Sequence, residues 1–262
     1  MVGTNPSNLL VQPERLERIE EYLQTQPRVT VAHLARILRV SPVTIRGDLT
    51  ELERRGRLVR VHGGALAANK AEHELNFEYR SRLQLAAKQR IGKQAAQLVR
   101  DGDSIFLDAS TTALELAKAV RERRELTVIT NSLRSAQELA FSPNLTVIMP
   151  GGIVRREAFS LVGMWSPDLL KQFNIARAFM GAKGFTLAEG LTDVHPDEVA
   201  LKRAIVGIAR EVIALIDHTK WDHVALGSFC SVEKLSIIIT DRAAPRKLVE
   251  AARARGIQVV LV

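Results

Sequence analysis

The stretch Val40-Ser41-Pro42-Val43-Thr44-Ile45-Arg46-Gly47-Asp48-Leu49 carries the start of a helix with two unlike faces. Ser41 suits an N-cap, because its hydroxyl can accept a hydrogen bond from a free amide of the first turn. Pro42 then falls on the first helical position, where its missing N–H costs nothing. From there Ile45, Leu49 and Leu52 recur at helical spacing as one apolar stripe. Val43, Arg46, Gly47, Thr50 and Arg54 gather on the opposite face, which is short, polar and basic. A helix with one side anchored in a small core and the other free is what entry into a DNA major groove requires.

Reading outward, Val31, Leu34, Ala35 and Leu38 form the apolar face of a preceding short helix with Thr30 as its cap, and Arg39-Val40 is the tight turn. Leu16, Ile19 and Leu23 mark an earlier helix that completes a three-helix core. On the other side Gly56 is a C-terminal stop, Leu58-Val59-Arg60-Val61 alternates apolar and basic, and His62-Gly63-Gly64 turns the chain. This predicts a small β-hairpin, the wing of a winged helix. From Arg28 to Arg60 eight arginines stand against three acids. A charge run of that kind also suits a plain solvated face, but the same segment has groove-reading architecture.

Residues 14 to 65 resemble the DeoR family of bacterial transcriptional regulators. The resemblance rests on Leu34-Ala35, Val40-Ser41, Thr44-Ile45-Arg46, Asp48-Leu49, Leu52, Gly56, Leu58, Arg60 and His62-Gly63-Gly64-Ala65. The residues expected to face double-stranded operator DNA are Ser41, Val43, Thr44, Arg46, Thr50, Arg54, Arg57, Arg60, His62 and Gly63. Thr44 and Arg46 would read base edges, Arg54, Arg57 and Arg60 would hold phosphates, and the wing would touch the minor groove or backbone. Gly47 stands where the family usually carries a second arginine, which removes a possible contact.

The 262 residues are enough for one small and one medium domain. The net charge of +8 favours an anionic partner without choosing one. A single cysteine, Cys230, rules out an internal disulfide and multi-cysteine zinc sites, and the six histidines lack metal-ligand spacing. No metal or cofactor is implied. With neither a signal segment nor an apolar run of spanning length, a cytoplasmic protein is expected. The expected organisation is a flexible leader over residues 1–13, a winged helix-turn-helix over 14–68, a linker over 69–86, and an effector-binding and oligomerisation domain over 87–262.

After the Asp101-Gly102-Asp103 turn, short apolar runs alternate with helical patterns to the C-terminus. This predicts right-handed βαβ units and a mainly parallel sheet, with irregular or antiparallel pieces over 153–195. In such sheets ligands bind at the C-terminal ends of the strands. Those ends carry Asp108-Ala109-Ser110-Thr111-Thr112, Thr130-Asn131-Ser132 and Gly151-Gly152. Three hydroxyls at a helix N-terminus can cradle phosphate, or can simply cap the helix. Glycines let a backbone approach a ligand closely. Glu198 and Lys202, four apart beside the stripe Leu201, Ile205 and Ile208, form either a solvated ion pair or a pocket rim. Asp217-His218-Thr219-Lys220 is either a turn or the source of a cation for an anion site.

This half also resembles the DeoR family, in its C-terminal sensor domain. The matching residues are Asp101-Gly102-Asp103, Phe106-Leu107-Asp108, Thr111-Thr112, Thr130-Asn131-Ser132, Gly151-Gly152, Leu161-Val162-Gly163, Phe179-Met180-Gly181, Gly184, Glu198 with Lys202, and Asp217 with Lys220. The resemblance implies an α/β fold of the ribose-5-phosphate isomerase type and a phosphorylated sugar as effector. Around that effector it places Asp108, Ser110, Thr111, Thr112, Asn131, Gly152, Glu198, Asp217 and Lys220; Ser132, Gly151 and Lys202 join them from the strand-end reading. Ser110 stands where the family commonly has glycine. The expected function is a sequence-specific regulator, a repressor of a carbohydrate operon, acting as a homodimer or homotetramer. Two other readings stand beside it. One is a phosphosugar enzyme with Glu198 or Asp108 as base and Lys202 or Lys220 as electrostatic stabiliser. The other is a domain that only oligomerises.

Overall fold

The computed structural model describes residues 10–26, 28–55, 57–61, 63–67, 77–163 and 167–262. The chain divides into two compact units, Met1–Leu75 and Asn76–Val262.

The first unit contains α1 (Gln12–Thr25), β1 (Arg28–Thr30), α2 (Val31–Leu38), α3 (Pro42–Arg54), β2 (Leu58–Val61) and β3 (Gly64–Ala67). The caps are those the sequence predicts. Ser41 Oγ accepts from the Thr44 amide at 3.0 Å, and Thr30 Oγ1 accepts from the His33 amide at 3.1 Å. Arg39 takes the left-handed conformation (φ 52°) that ends α2. Ile19, Leu34, Ile45, Leu49 and Leu52 meet in a core from which solvent is excluded. The hairpin β2–β3 pairs Val61 with Gly64 across a two-residue tip, and β1 adds a third strand, in the order β1-β3-β2. Strand β1 has only three residues, too few to show a period, and was not expected. It needs Gly64, where a Cβ would fall 1.9 Å from the Val29 carbonyl oxygen. The leader expected over 1–13 must be shortened, since α1 already includes residues 12 and 13; residues 1–9, Gly56 and His62 lie outside the described residues.

The second unit opens with α4 (Phe77–Arg82) and α5 (Leu85–Ala96). The expected linker over 69–86 is therefore corrected: from residue 77 it is helix, anchored by Phe77, which is buried. Then follow β4 (Ser104–Leu107), α6 (Thr111–Ala119), β5 (Leu126–Thr130), α7 (Leu133–Leu139), β6 (Leu145–Ile148), β7 (Ile153–Arg155), β8 (Ser160–Val162), α8 (Pro167–Leu170), β9 (Arg177–Met180), β10 (Gly184–Thr186) and β11 (Gly190–Asp193). The series closes with α9 (Pro196–Ile208), β12 (Glu211–Leu215), a 3-10 turn (His218–Lys220), β13 (Gly227–Cys230), β14 (Ile237–Thr240), α10 (Arg246–Ala254) and β15 (Gln258–Leu261).

Seven parallel strands form the sheet β15-β14-β12-β9-β4-β5-β6. Both faces are covered: Phe106, Ala178 and Ala214 point into one core, and Ile105, Leu107 and Ile213 into the other. Strands buried on both faces read as continuous apolar runs, which is why they were visible in the sequence. The chain winds from β4 out to β6, then returns past β4 to β9 and continues to β15. That reversal puts a topological switch point between β4 and β9. On one face Gly92 lets α5 and α6 meet closely; a Cβ there would lie 2.6 Å from the Glu115 carbonyl carbon. Residues 153–195 hold the expected antiparallel pieces, the hairpin β7–β8 and the pair β10–β11, which β13 extends to a small three-stranded sheet.

Candidate DNA-binding and effector sites

In the first unit the outer face of α3 presents Ser41, Val43, Arg46 and Thr50 to solvent, with Thr44 partly covered. Ile45, Leu49 and Leu52 hold the other face. A further anchor is Asp48, which is buried and accepts Arg15 Nε at 2.8 Å, Arg15 Nη2 at 3.1 Å and Gln12 Nε2 at 3.3 Å. It ties α1 to α3, and is the one charged group on the core side of the helix. Sequence reading placed Asp48 in a motif without seeing this partnership, because Arg15 lies more than thirty residues away.

The basic residues are not equally available. Arg54 makes a two-bonded pair with Glu51 at 2.7 and 2.8 Å, and Arg55 adds a third bond at 2.8 Å. Hydrogen bonds from Arg54 and then Arg55 pull the Glu51 carboxyl down to about 2. Arg57 pairs with Glu20 at 2.9 Å, and Arg60 donates to Thr50 Oγ1 at 2.9 Å. Arg46 makes no side-chain bond among the described residues, which leaves its guanidinium open to a base or phosphate. Gly63 (φ 76°) forms the hairpin tip, and its carbonyl accepts the Val31 amide at 2.7 Å, fixing the wing against α2.

In the second unit the strand ends at the switch point converge on Lys202. Its Nζ lies 2.9 Å from Asp108 Oδ2, 2.7 Å from Asp193 Oδ2 and 2.9 Å from the Gly181 carbonyl, and it sits over the Phe229 ring. Burial alone would lower the ammonium's pKa, but Asp108, Asp193 and Glu198 together outweigh it and hold it well above the ordinary lysine value. Glu198 is equally buried, yet it does not pair with Lys202. It accepts Arg155 Nη1 at 3.1 Å, Asn131 Nδ2 at 3.3 Å and the Ser160 hydroxyl. The solvated i,i+4 pair is thus overturned: α9 turns this face inward, and each charge finds its counter-charge on another element.

Ser110 caps α6, accepting the Ala113 amide at 3.0 Å, while its own amide donates to Asp108 Oδ1 at 3.1 Å. Thr111 and Thr112 are buried, and among the described residues their amides have no hydrogen-bond partner. Asn131 Oδ1 is likewise buried without a partner. Unpaired amide donors at a helix N-terminus carry partial positive charge, which favours an anion. Ser132 caps α7 through the Ser135 amide at 3.1 Å. Gly152 packs against a neighbouring strand: its φ is 136°, and a Cβ would meet the Val162 carbonyl oxygen at 2.5 Å. Gly151 (φ 88°) precedes it with open space around its Cα. Asp217 caps the 3-10 turn through the Thr219 amide at 2.9 Å, and Lys220 ends that turn partly exposed.

Sequence reading missed Arg80, Lys88, Arg155, Ser160, Lys183 and Asp193. Lys88 was discoverable, because it sits three residues before Ile91 on the buried stripe of α5. Burial, with Arg80 and Lys220 nearby, pushes its ammonium down to about 8, despite Asp217.

Residues 83–242 match the DeoR C terminal sensor domain, and residues 15–71 match the DeoR-like helix-turn-helix domain. The chain belongs to the DeoR family of transcriptional regulators. Among relatives of this DeoR-family regulator, the HTH-type transcriptional regulator GolR of Listeria innocua is 40% identical over 94% of this chain and 97% of its own. The putative aga operon transcriptional repressor of Escherichia coli O157:H7 is 31% identical over 95% and 93%, and the HTH-type transcriptional repressor GlcR of Bacillus subtilis is 30% identical over 96% and 97%. The regulator also aligns with ribose 5-phosphate isomerase A from Methanocaldococcus jannaschii at 19% identity and a TM-score of 0.38, over 51% of this chain and 53% of that one. Its full-length relatives are transcriptional regulators and not enzymes. No helix among the described residues is long and apolar enough to cross a membrane.

Proposed function

We propose that this regulator represses a carbohydrate operon in the cytoplasm, and that a phosphorylated sugar bound at the switch point changes its affinity for operator DNA. The observation that carries the reading is the pair of amides at Thr111 and Thr112, without a partner among the described residues, at the end of the loop whose Asp108 meets Lys202. The sugar's phosphate would take those amides, and its hydroxyls would meet Asn131, Ser110 and the rim around Glu198, Asp217 and Lys220. Repressor action is supported by two relatives named as repressors, that of the aga operon and GlcR. Arg46 and Thr44 would read bases, and Arg54, Arg57 and Arg60 would reach phosphates once their internal partners release them. Two copies, as a homodimer or within a homotetramer, would supply the paired half-sites that one short helix needs for specificity.

Thermal unfolding with sugar phosphates, each beside its unphosphorylated parent, tests the effector. A ligand at 100 times its Kd adds about 2.7 kcal/mol. A shift from one phosphate and not its parent is expected; no shift from any would remove the phosphosugar from the reading. For DNA, Arg46→Ala is expected to lose about 1–3 kcal/mol of operator affinity and to lower the salt slope by about one. Unchanged affinity and slope would remove Arg46 from the interface.

A further inference from the structure

The hairpin β7–β8 stands outside the seven-stranded sheet as a two-stranded sheet of its own, pairing Ile153 with Val162 through to Arg155 with Ser160. Two short strands do not hold together alone in water, so the hairpin's place depends on what it is tied to. Its last rung is tied to the candidate effector site. Arg155 Nη1 donates to Glu198 Oε1 at 3.1 Å, and the Ser160 hydroxyl donates to the same oxygen. Asn131 Nδ2 donates to the other oxygen, Oε2, at 3.3 Å. The backbone of β8 runs along the end of β5: the Leu161 amide donates to the Asn131 carbonyl at 2.8 Å, and the Leu133 amide to the Phe159 carbonyl at 2.8 Å.

The turn of the hairpin is tied elsewhere. Phe159, next to Ser160, has a φ of 50°, a conformation that bulky side chains rarely adopt and that its surroundings must hold in place. Its ring meets that of Phe77 edge-on, with centroids 5.8 Å apart, and the Arg134 guanidinium lies 4.3 Å from its centroid. Arg134 also pairs with Glu78. The Phe77 amide donates to the Glu157 carbonyl at 2.9 Å. Phe77 is buried and opens α4, one residue into the second unit, where the chain arrives from the DNA-binding unit. Neighbouring residues of one strained turn thus hold Glu198 on one side and the entry of the chain on the other.

We propose that Phe159 is the positioning residue through which occupancy of the effector site reaches the chain entry at Phe77, with the hairpin β7–β8 as the part that responds. This rests on the phosphosugar reading and deepens it by naming the route of regulation. Asn131 Oδ1 is buried without a partner among the described residues. A sugar hydroxyl that donates to Asn131 Oδ1 or to Glu198 draws on the same groups that hold Arg155 and Ser160. Occupied and empty sites therefore grip the hairpin differently, and a difference of that kind is what lets a ligand shift an equilibrium. Phe159 passes the change to Phe77 and α4 without touching the ligand.

The experiment pairs two measurements on the full chain. Isothermal titration with fructose 6-phosphate, ribose 5-phosphate and glucosamine 6-phosphate reads sugar-phosphate affinity. Fluorescence anisotropy, with a DNA fragment that the protein itself selects from random sequence, reads DNA affinity with and without each compound. In the wild type one sugar phosphate should change DNA affinity by about 5- to 150-fold. Phe159→Ala should bind that compound with unchanged affinity while its effect on DNA binding disappears, and Phe159→Tyr, which keeps the ring, should restore the effect. Should Phe159→Ala not fold, Arg134→Ala takes its place: it removes the guanidinium from the Phe159 ring and should cut the effect with sugar-phosphate affinity intact. An effect in these alanine variants equal to the wild type's overturns the proposal. So does a loss of sugar-phosphate binding in parallel with the effect, which would make Phe159 a support of the pocket alone. Both results leave the phosphosugar sensor standing. If no sugar phosphate binds the wild type or alters its DNA affinity, the sensor reading falls and this proposal with it.

Discussion

At the scale of single residues, Gly47 is the position that bears most directly on how α3 meets DNA. It lies on the exposed face of α3, and a Cβ there would meet nothing within 4 Å. Glycine in a helix interior costs about 1 kcal/mol relative to alanine, so α3 gives up stability there and presents no side chain. Gly47→Arg should therefore stabilise the first unit and tighten DNA binding, with the salt slope steeper by about 0.9 if one more phosphate is neutralised. Fluorescence anisotropy with an operator fragment at several salt concentrations measures it; an unchanged slope would mean that Gly47 faces away from the backbone. The caps at Ser41 and Thr30 were legible because they depend only on neighbours a turn away. Asp48 and Glu198 were not. Each is buried, and each is satisfied by residues distant in sequence, Arg15 in one case and Arg155 and Ser160 in the other. Local spacing suggested Glu198 with Lys202; burial sent them to different partners.

At the scale of elements, the N-terminal end of α6, where a phosphate is proposed to bind, depends on how closely α5 packs against that helix. Gly92 makes that approach possible. Gly92→Ala inserts a methyl group where the backbone of α6 leaves no room, and overpacking of this kind costs about 1–3 kcal/mol. We expect a lower unfolding midpoint, and also weaker binding of sugar phosphates, since α6 would shift with Thr111 and Thr112. A fall in stability with effector affinity intact would uncouple the helix from the site. The strands and long helices of the sheet could be read from the sequence, because runs such as Ile105–Leu107 and Val212–Leu215 are continuous and apolar. Their order in the sheet could not, since pairing β4 with β9 joins segments some seventy residues apart. The pieces of residues 153–195 have three or four residues each, too short for any period, and they carry Arg155, Ser160 and Asp193.

At the scale of the whole molecule, the sensor unit holds more positive charge than its own acids balance, and this appears as a pH dependence of stability. Lys88 falls to about 8 in the fold from an ordinary 10.5, so the unfolded chain binds more protons between those values. Stability of the ligand-free protein should therefore rise with pH from about 8 to about 10.5, by about 3 kcal/mol from Lys88 alone. Lys183, shifted in the same direction, adds to the slope. Denaturant titrations across this range in phosphate-free buffer measure it, and Lys88→Met should flatten part of the rise. A fall in stability over the same window would show that both lysines stay charged in the free protein.

Asp108, Glu198 and Lys202 are the groups a sugar-phosphate catalyst would recruit to move protons, and here each is already tied to a neighbour. To act as a base, a carboxylate bonded to lysine, arginine and amide donors would have to surrender those bonds. On the proposed sensor reading, the same ties would keep the site from consuming what it detects. A metabolite would enter, be registered and leave unchanged, so that occupancy would follow its concentration and the message would not be spent in being read.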